Sequence, residues 1–214
     1  EPISGKFWKC LNALTAIEFR VMRAKTAVPV HEVIATRRSP RSLDHTALIS
    51  DTDLIAIIEA ARWAPSAFNG QPWRFFVGKR GKEVFSQTLL SLVEFNQQWA
   101  QNSSALILVA AKPTRDDGSI HADYQFDCGL AVAQLVFETH SRGFVAHQMT
   151  GFDKEKAREN LSMASDLVPV VAIAIGIQDA PEKLPDAMAE REKAPRARKS
   201  LEEIVIAGLP QLQN

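Results

Sequence analysis

The chain has 214 residues with 25 basic and 25 acidic side chains, so its formal net charge is zero. This length is enough for one domain with a sizeable core, and a balanced charge creates no overall field that attracts nucleic acid. Two cysteines are too few for a disulfide framework or a structural zinc site. No apolar run is long enough to span a membrane, and the first residues lack the regions of a signal peptide. We therefore expect a globular cytoplasmic protein that binds neither nucleic acid nor membrane.

The first predicted element is an amphipathic helix over residues 5–25, where apolar side chains recur at spacings of three and four. Such a helix can lie on a membrane surface, although packing against its own domain or a partner subunit is the favoured interpretation. We accordingly divide the chain into a helical extension, residues 1–27, and one domain, residues 28–214. A second short helix is predicted around residues 30–34.

Helices and strands alternate from Ser50 onward, where Ser50 is the expected N-cap of a helix that Pro65 ends. Apolar runs predict strands at residues 73–77, 105–111, 143–147 and 167–175, and periodic segments predict helices within 80–100, 122–141 and 153–162. This order favours a sheet covered by helices on both faces, of the α/β or α+β class. Residues 178–199, rich in proline and charge, are interpreted as a linker to a last element that leaves the core.

Two short segments carry several polar side chains that suit ligand binding. Residues 37–41 read Arg-Arg-Ser-Pro-Arg, and guanidinium groups hold phosphate with two parallel hydrogen bonds. Three cations this close repel one another unless an anion or solvent lies between them. Residues 65–73 read Pro-Ser-Ala-Phe-Asn-Gly-Gln-Pro-Trp, a small-residue turn that opens into an apolar strand. Its hydroxyl, amide and backbone N–H groups suit the edge of a polar heterocycle.

Two further segments also carry polar or basic side chains that could bind a ligand. Residues 143–153 form a strand that ends in the loop Gln148, Met149, Thr150 and Gly151 before Asp153 caps the next helix. Residues 195–205 carry two spaced arginines. Taken singly, the basic segments are most simply solvated turns and the proline segment a helix stop.

Together, in this order and spacing, these segments resemble the nitroreductase family, which holds FMN through an Arg-(Arg)-Ser segment and a Pro-Ser-x-x-Asn-x-Gln-Pro-Trp segment. The resemblance covers residues 30–205. It implies an α+β fold with a nitroreductase-like mixed sheet flanked by helices, built as a dimeric α-β sandwich. It also implies an obligate homodimer with FMN at the interface. The reaction it implies is a ping-pong transfer of hydride from NAD(P)H, through flavin N5, to an acceptor such as a nitroaromatic or a quinone.

The resemblance also implies which residues bind FMN. The first arginine segment serves the phosphate and the pyrimidine side, with Arg41 toward the flavin N1/O2 edge, and the two C-terminal arginines close on the phosphate. The proline loop reaches a flavin held mainly by the other subunit. Thr150 stands near N5, where many members carry an acidic residue or glycine. The implied set is Arg37, Arg38, Ser39, Arg41, Pro65, Ser66, Ala67, Asn69, Asn96, Gln148, Met149, Thr150, Gly151, Arg196 and Arg198.

Motifs for other chemistries are missing from the sequence, including GxGxxG after a strand, a P-loop, HExxH and CxxC. The chemistry is therefore expected from the cofactor, with no metal and no protein nucleophile. His147 is interpreted as a structural histidine at a strand end. Two alternatives stay open, a flavin-dependent enzyme of the reductive dehalogenase type and a flavin-binding protein without turnover.

Overall fold

A computed structural model describes residues 23–208 and residue 210. The predicted helix over residues 5–25 lies almost entirely outside the described residues, and its described end, residues 23–25, is not helical. Among the described residues, no helix combines the length and apolarity needed to cross a bilayer.

Four strands and eight α-helices make up the described part of the chain. The strands are β1 (Trp73–Lys79), β2 (Ala105–Ala111), β3 (Val145–Met149) and β4 (Val168–Gly176). The helices are α1 (Glu32–Thr36), α2 (Asp51–Arg62), α3 (Glu83–Ser91), α4 (Glu94–Ala100), α5 (Tyr124–Ser141), α6 (Lys154–Asn160), α7 (Asp186–Lys193) and α8 (Leu201–Ile204). Single 3-10 turns lie at Ala67–Asn69 and Pro181–Lys183.

The sheet has the strand order β1-β2-β4-β3, and the predicted α+β class is confirmed. Every pair of neighbouring strands in the described residues is antiparallel, which corrects the expectation of a mixed sheet. The reason is topological. The helix α5 joins β2 to β3, which run in the same direction, but β4 enters between them and pairs with both.

All seven residues of β2 are buried, because helices cover both faces of the sheet. Side chains alternate between the faces of a strand. Ile107 and Val109 therefore pack in one apolar cluster with α2 and α5, while Leu106 and Leu108 pack in the other with α3, α4 and α6.

The helix predicted after Ser50 is confirmed, and the segment predicted to be helical within 80–100 is helical but divided in two. Ser50 caps α2 by accepting a hydrogen bond from the backbone N of Asp53 at 3.0 Å, and the helix ends before Pro65. The segment 80–100 is two helices, because Leu92 has extended backbone and forms a bridge with Phe152. That break places α4 beside the loop that follows β3.

The third strand begins two residues later than predicted, at Val145. Gly143 takes a left-handed conformation with φ of 83° and ends α5, so the chain is still turning where the strand was expected. As a result, Gln148 and Met149 belong to the strand, and only Thr150 and Gly151 lie beyond it.

The interpretation of residues 178–199 as a linker is wrong. The segment forms α7, which buries Met188, Ala189 and Glu192 against the domain. After α7 the chain does leave the core, and Ile206 is exposed.

Candidate functional site

The first arginine segment runs alongside β3. After α1 ends, Arg37 takes extended backbone, and the chain continues past Pro40 into the domain. The Pro40 carbonyl accepts a hydrogen bond from His147 Nδ1 at 3.0 Å, and Ser39 Oγ lies 3.5 Å from Gln148 Oε1, a contact rather than a strong hydrogen bond. Ser39 and Gln148, two residues of the set that the resemblance implied, therefore lie next to each other.

The end of α7 holds the other side of the arginine segment. Arg38 donates to the main-chain carbonyls of Glu192 at 2.7 Å and Ala194 at 3.3 Å. The Glu192 carboxylate accepts from the backbone N–H groups of Arg41 at 2.7 Å and Ser42 at 3.0 Å. Residues about 150 positions apart in the chain are therefore joined into one unit.

The C-terminal arginines reach the same place. Arg196 donates to the carbonyl of Ala35 at 2.5 Å and to the carbonyl of Arg37. Burial, and then the charge of Arg198, lowers the pKa of the Arg37 guanidinium. Burial also lowers the pKa of Arg196, helped by the charges of Arg38, Arg37 and Arg198. The four guanidinium groups lie close enough to repel one another.

Three of these arginines lack a counter-charge in the described part of the chain. Within the described chain, Arg37, Arg38 and Arg198 form no ion pair, and the side chain of Arg198 donates only to the adjacent carbonyl of Ala197, at 2.7 Å. A cluster of cations without counter-charge is a binding site for an anion with several oxygen acceptors.

A second group of predicted residues gathers where α4 meets the end of β3. Asn96 Nδ2 donates to the carbonyl of Gly151 at 2.9 Å, and the N–H of Val93 donates to the same carbonyl at 3.1 Å. A Cβ at position 151 would lie 2.7 Å from Asn96 Nδ2, so a side chain there would displace the Asn96 amide from this bond. Thr150 is exposed, but the Met149 side chain is buried in the core, which leaves only its backbone for a ligand.

Arg41 and His147 lie in the same part of the candidate site and differ in charge and in hydrogen bonding. Arg41 Nε is buried without a hydrogen-bond partner in the described part of the chain, and its guanidinium carbon lies 5.9 Å from the centre of the Phe95 ring. Burial, helped by the charge of Arg41, lowers the pKa of His147 to about 4 even though its bond to the Pro40 carbonyl acts in the opposite direction. His147 also packs 4.6 Å from the Trp99 ring. It is neutral near pH 7, in keeping with a structural role, whereas Arg41 has an unmet donor.

The loop of residues 65–73 is strained and braced. Phe68, Asn69 and Gln71 have positive φ of 53°, 54° and 43°, a conformation that costs energy for residues other than glycine. The N–H of Gln71 donates to Ser66 Oγ at 3.0 Å, which closes the turn. Such strain persists only where surrounding contacts fix the backbone.

A buried pair that sequence reasoning did not assign to the site fixes this loop. Asp127 Oδ2 accepts from the N–H of Ala67 at 3.0 Å and lies 2.7 Å from His121 Nε2. The His121 ring also fills the space beside Gly70, where a Cβ would lie 2.5 Å from it. An isolated histidine and aspartate six positions apart have no sequence signature for this role.

The arginine segment and the loop of residues 65–73 lie at opposite ends of α5 and do not converge within one chain. The loop contacts Asp127 near the start of the helix, whereas Thr36 Oγ1, next to Arg37, lies 2.8 Å from Nε2 of His140 near its end. A rise of about 1.5 Å per residue separates these two helix positions by about 20 Å.

The Asp127 brace makes a measurable prediction for stability. Replacing Asp127→Ala leaves the N–H of Ala67 and Nε2 of His121 without their acceptor, at a cost of about 1–3 kcal/mol for each unsatisfied group. Both bonds converge on one oxygen, so Asp127→Asn, which keeps one oxygen, should lose less. Urea unfolding gives the free energies of unfolding. Asp123→Ala is the matched control, because Asp123 is exposed and its side chain caps nothing. Equal stability of the two alanine variants would contradict the brace.

Comparison with known proteins agrees with this architecture. The family model described as the nitroreductase family matches residues 34–105. An uncharacterised 15.4 kDa protein of Mycolicibacterium smegmatis is 36% identical over 144 residues, which cover 63% of this chain and 95% of that protein. A protein of Archaeoglobus fulgidus, provisionally named NADH dehydrogenase/NAD(P)H nitroreductase, is 30% identical over 68% of this chain and 83% of its own length.

The fold comparison extends over most of the chain. The crystal structure of an oxidoreductase containing FMN is 32% identical, with a TM-score of 0.81, and the match covers 89% of this chain and 97% of that one. The arginine segment, the proline loop and Asn96 lie within residues 34–105, the range that the family model matches. The chain belongs to the nitroreductase family.

Proposed function

We propose that the protein is an FMN-dependent oxidoreductase that moves hydride from NAD(P)H to a small-molecule acceptor. The observation that carries the proposal is the group Arg37, Arg38 and Arg198, which form no ion pair within the described chain, together with the unmet donor of Arg41. The family relatives support it through names that include NAD(P)H nitroreductase and an oxidoreductase containing FMN.

The residues present fit FMN. A phosphate dianion supplies the charge and the acceptor oxygens for Arg37, Arg38 and Arg198, which have no described ion pair. The pyrimidine edge of a flavin has oxygen and nitrogen acceptors for the buried Nε of Arg41. We assign the phosphate to Arg37, Arg196 and Arg198, and the ring system to Ser39, Arg41, Asn96 and the backbone and side chains of residues 148–151.

FMN supplies the hydride chemistry when it is bound. The chain holds and orients its substrates: Arg41 places a cation at the edge where negative charge develops, which stabilises that charge in a site of low dielectric constant. Thr150 offers a hydroxyl and a backbone N–H near flavin N5. His147 is neutral and faces Pro40, so it is not assigned as a general acid. We propose ping-pong order, a nitroaromatic or quinone as acceptor, and the cytoplasm as location.

We also propose that the active form is a homodimer. The loop of residues 65–73 lies about 20 Å along α5 from Arg37, so a loop at the flavin comes from the partner subunit. The outer face of α5 carries an apolar stripe of Phe126, Gly129, Ala133 and Phe137, all exposed. Exposed apolar stripes of this kind mark interfaces. The exposed Trp63 and Ile34 line a groove that continues this face at Phe137.

The cofactor assignment has a direct test. The purified protein should be yellow, and acid release followed by chromatography should give about one FMN per chain. NAD(P)H should be consumed under air. Release of FAD, or no flavin uptake on reconstitution, would contradict the proposal, and bound FMN without NAD(P)H consumption would make the protein a flavin carrier.

The phosphate clamp is tested by Arg198→Ala. A charge-assisted hydrogen bond contributes roughly 1.5–3 kcal/mol, so FMN affinity should fall about 10- to 150-fold. Riboflavin lacks the phosphate and should bind the variant and the parent alike. Lys193→Ala is the control, since Lys193 pairs with Glu182 at 3.0 Å outside the cluster. Equal losses for FMN and riboflavin would make Arg198 structural.

The dimer is tested at Gly129. A glycine inside a helix costs about 1 kcal/mol relative to alanine, and a Cβ at position 129 would meet nothing within 4 Å in its own chain. Gly129→Trp should therefore fold but block the partner, giving a monomer that has lost FMN, as measured by sedimentation and absorbance. Obligate interfaces of this type bury more than about 2,000 Å². Lys156→Trp, at an exposed site on α6 across the sheet, should stay dimeric. A dimeric, FMN-loaded Gly129→Trp variant would rule out this face.

A further inference from the structure

Glu192 is a buried acidic residue that the proposed binding set does not include. It is 7% exposed, and its carboxylate forms no ion pair with any described side chain. A buried carboxylate is costly unless hydrogen bonds replace its water. Both oxygens of Glu192 accept from main-chain N–H groups, Oε2 from Arg41 at 2.7 Å and Oε1 from Ser42 at 3.0 Å.

The same residue also holds the segment from its other side. The main-chain carbonyl of Glu192 accepts from the guanidinium of Arg38 at 2.7 Å. One residue therefore fixes the chain on both sides of Ser39 and Pro40. Four residues further on, Arg196 bonds the carbonyls of Ala35 and Arg37.

Glu192 bonds the backbone of Arg41 and not its guanidinium, and this difference affects the charge of the site. Because Glu192 bonds the backbone N–H of Arg41, the guanidinium of Arg41 is not neutralised and its buried Nε keeps an unmet donor. A carboxylate paired with that guanidinium would cancel the charge that the site needs. The backbone bond fixes where the side chain starts and leaves its charge available.

Ser42 and its neighbours have further contacts besides the bond to Glu192. Ser42 Oγ donates to the carbonyl of Ala180 at 2.6 Å, and the Ser42 carbonyl accepts from the N–H of Asp179 at 2.9 Å. Leu43 forms a bridge with Gln178. These contacts anchor residues 42–44, so the loss of the Glu192 carboxylate releases mainly Arg41.

We infer that Glu192 is a positioning residue that sets the guanidinium of Arg41 at the pyrimidine edge of FMN. This inference rests on the proposed function. It assigns to α7 a role in tuning the flavin as well as in carrying the C-terminal arginines. Loss of the carboxylate should weaken FMN binding and make the bound flavin harder to reduce, since Arg41 stabilises the negative charge that reduction creates.

The experiment uses the full-length chain, deflavinated and titrated with FMN, and compares Glu192→Gln with Glu190→Gln. Glu190 lies on the same helix, is exposed, and approaches only Lys193, at 3.8 Å. Glutamine keeps one acceptor oxygen and turns a donor toward an N–H, so FMN affinity should fall about tenfold, the effect of one charge-assisted hydrogen bond. The two-electron midpoint potential of bound FMN should fall by about 30 mV if the reduced form loses a further tenfold in affinity.

A double-mutant cycle decides whether Glu192 acts through Arg41. Arg41→Gln should lower the potential by itself, and adding Glu192→Gln should lower it no further. Additive shifts, or an unchanged potential with weaker binding, would overturn the inference and leave Glu192 a structural residue. If Glu192→Gln does not fold, Glu192→Asp, which keeps the charge but shortens the reach, is measured by the same criteria. Failure of the unmodified protein to bind FMN would instead reject the proposed function.

Discussion

The close approach of four guanidinium groups is the constraint on which the rest of this structure depends. Burial and mutual repulsion lower the pKa of both Arg37 and Arg196, so the cluster opposes folding in the absence of an anion. The fold directs Arg38 and Arg196 to main-chain carbonyls, which orient the two guanidinium groups. A carboxylate in the same place would stabilise the empty protein and weaken the binding of a phosphate.

The rest of the architecture places this cluster. The seven buried residues of β2 fix a sheet that helices cover on both faces, and α7 packs against one of those layers. The length of α5 then sets a second constraint. With Arg37 near its end and Ala67 near its start, a single chain holds the two halves of the family's flavin motif about 20 Å apart. A second chain that packs on the apolar stripe along the outer face of α5 would bring the two halves of the motif together.

Much of the fold and part of the site could be predicted from the sequence, because their signals are local. Ser50 is a typical N-cap residue and so predicts a helix start, and β2 is a continuous apolar run. Apart from the start of β3, which a local turn at Gly143 shifts, the failures involve contacts between distant residues. Leu92 breaks a helical pattern because it pairs with Phe152. The segment of α7 looks like a linker because it has few buried residues, Met188 in an apolar cluster and Glu192 against the arginine segment among them. In the site, the arginines and the proline loop were predicted by motif, whereas the groups that hold them were not.

The groups that hold the two motifs, Asp127 and Glu192, act in the same way. Asp127 holds the N–H of Ala67, and Glu192 holds the N–H of Arg41. Each is a buried carboxylate that bonds the backbone of a segment proposed to face the cofactor. A side chain in that position can fix a strained or charged segment without competing for the atoms that the ligand needs. Single acidic residues are too common in a sequence to predict such a role, since only the folded chain shows which N–H each one meets. Positioning residues of this kind are therefore found by asking how the backbone of each motif is held, after the motif itself has been located.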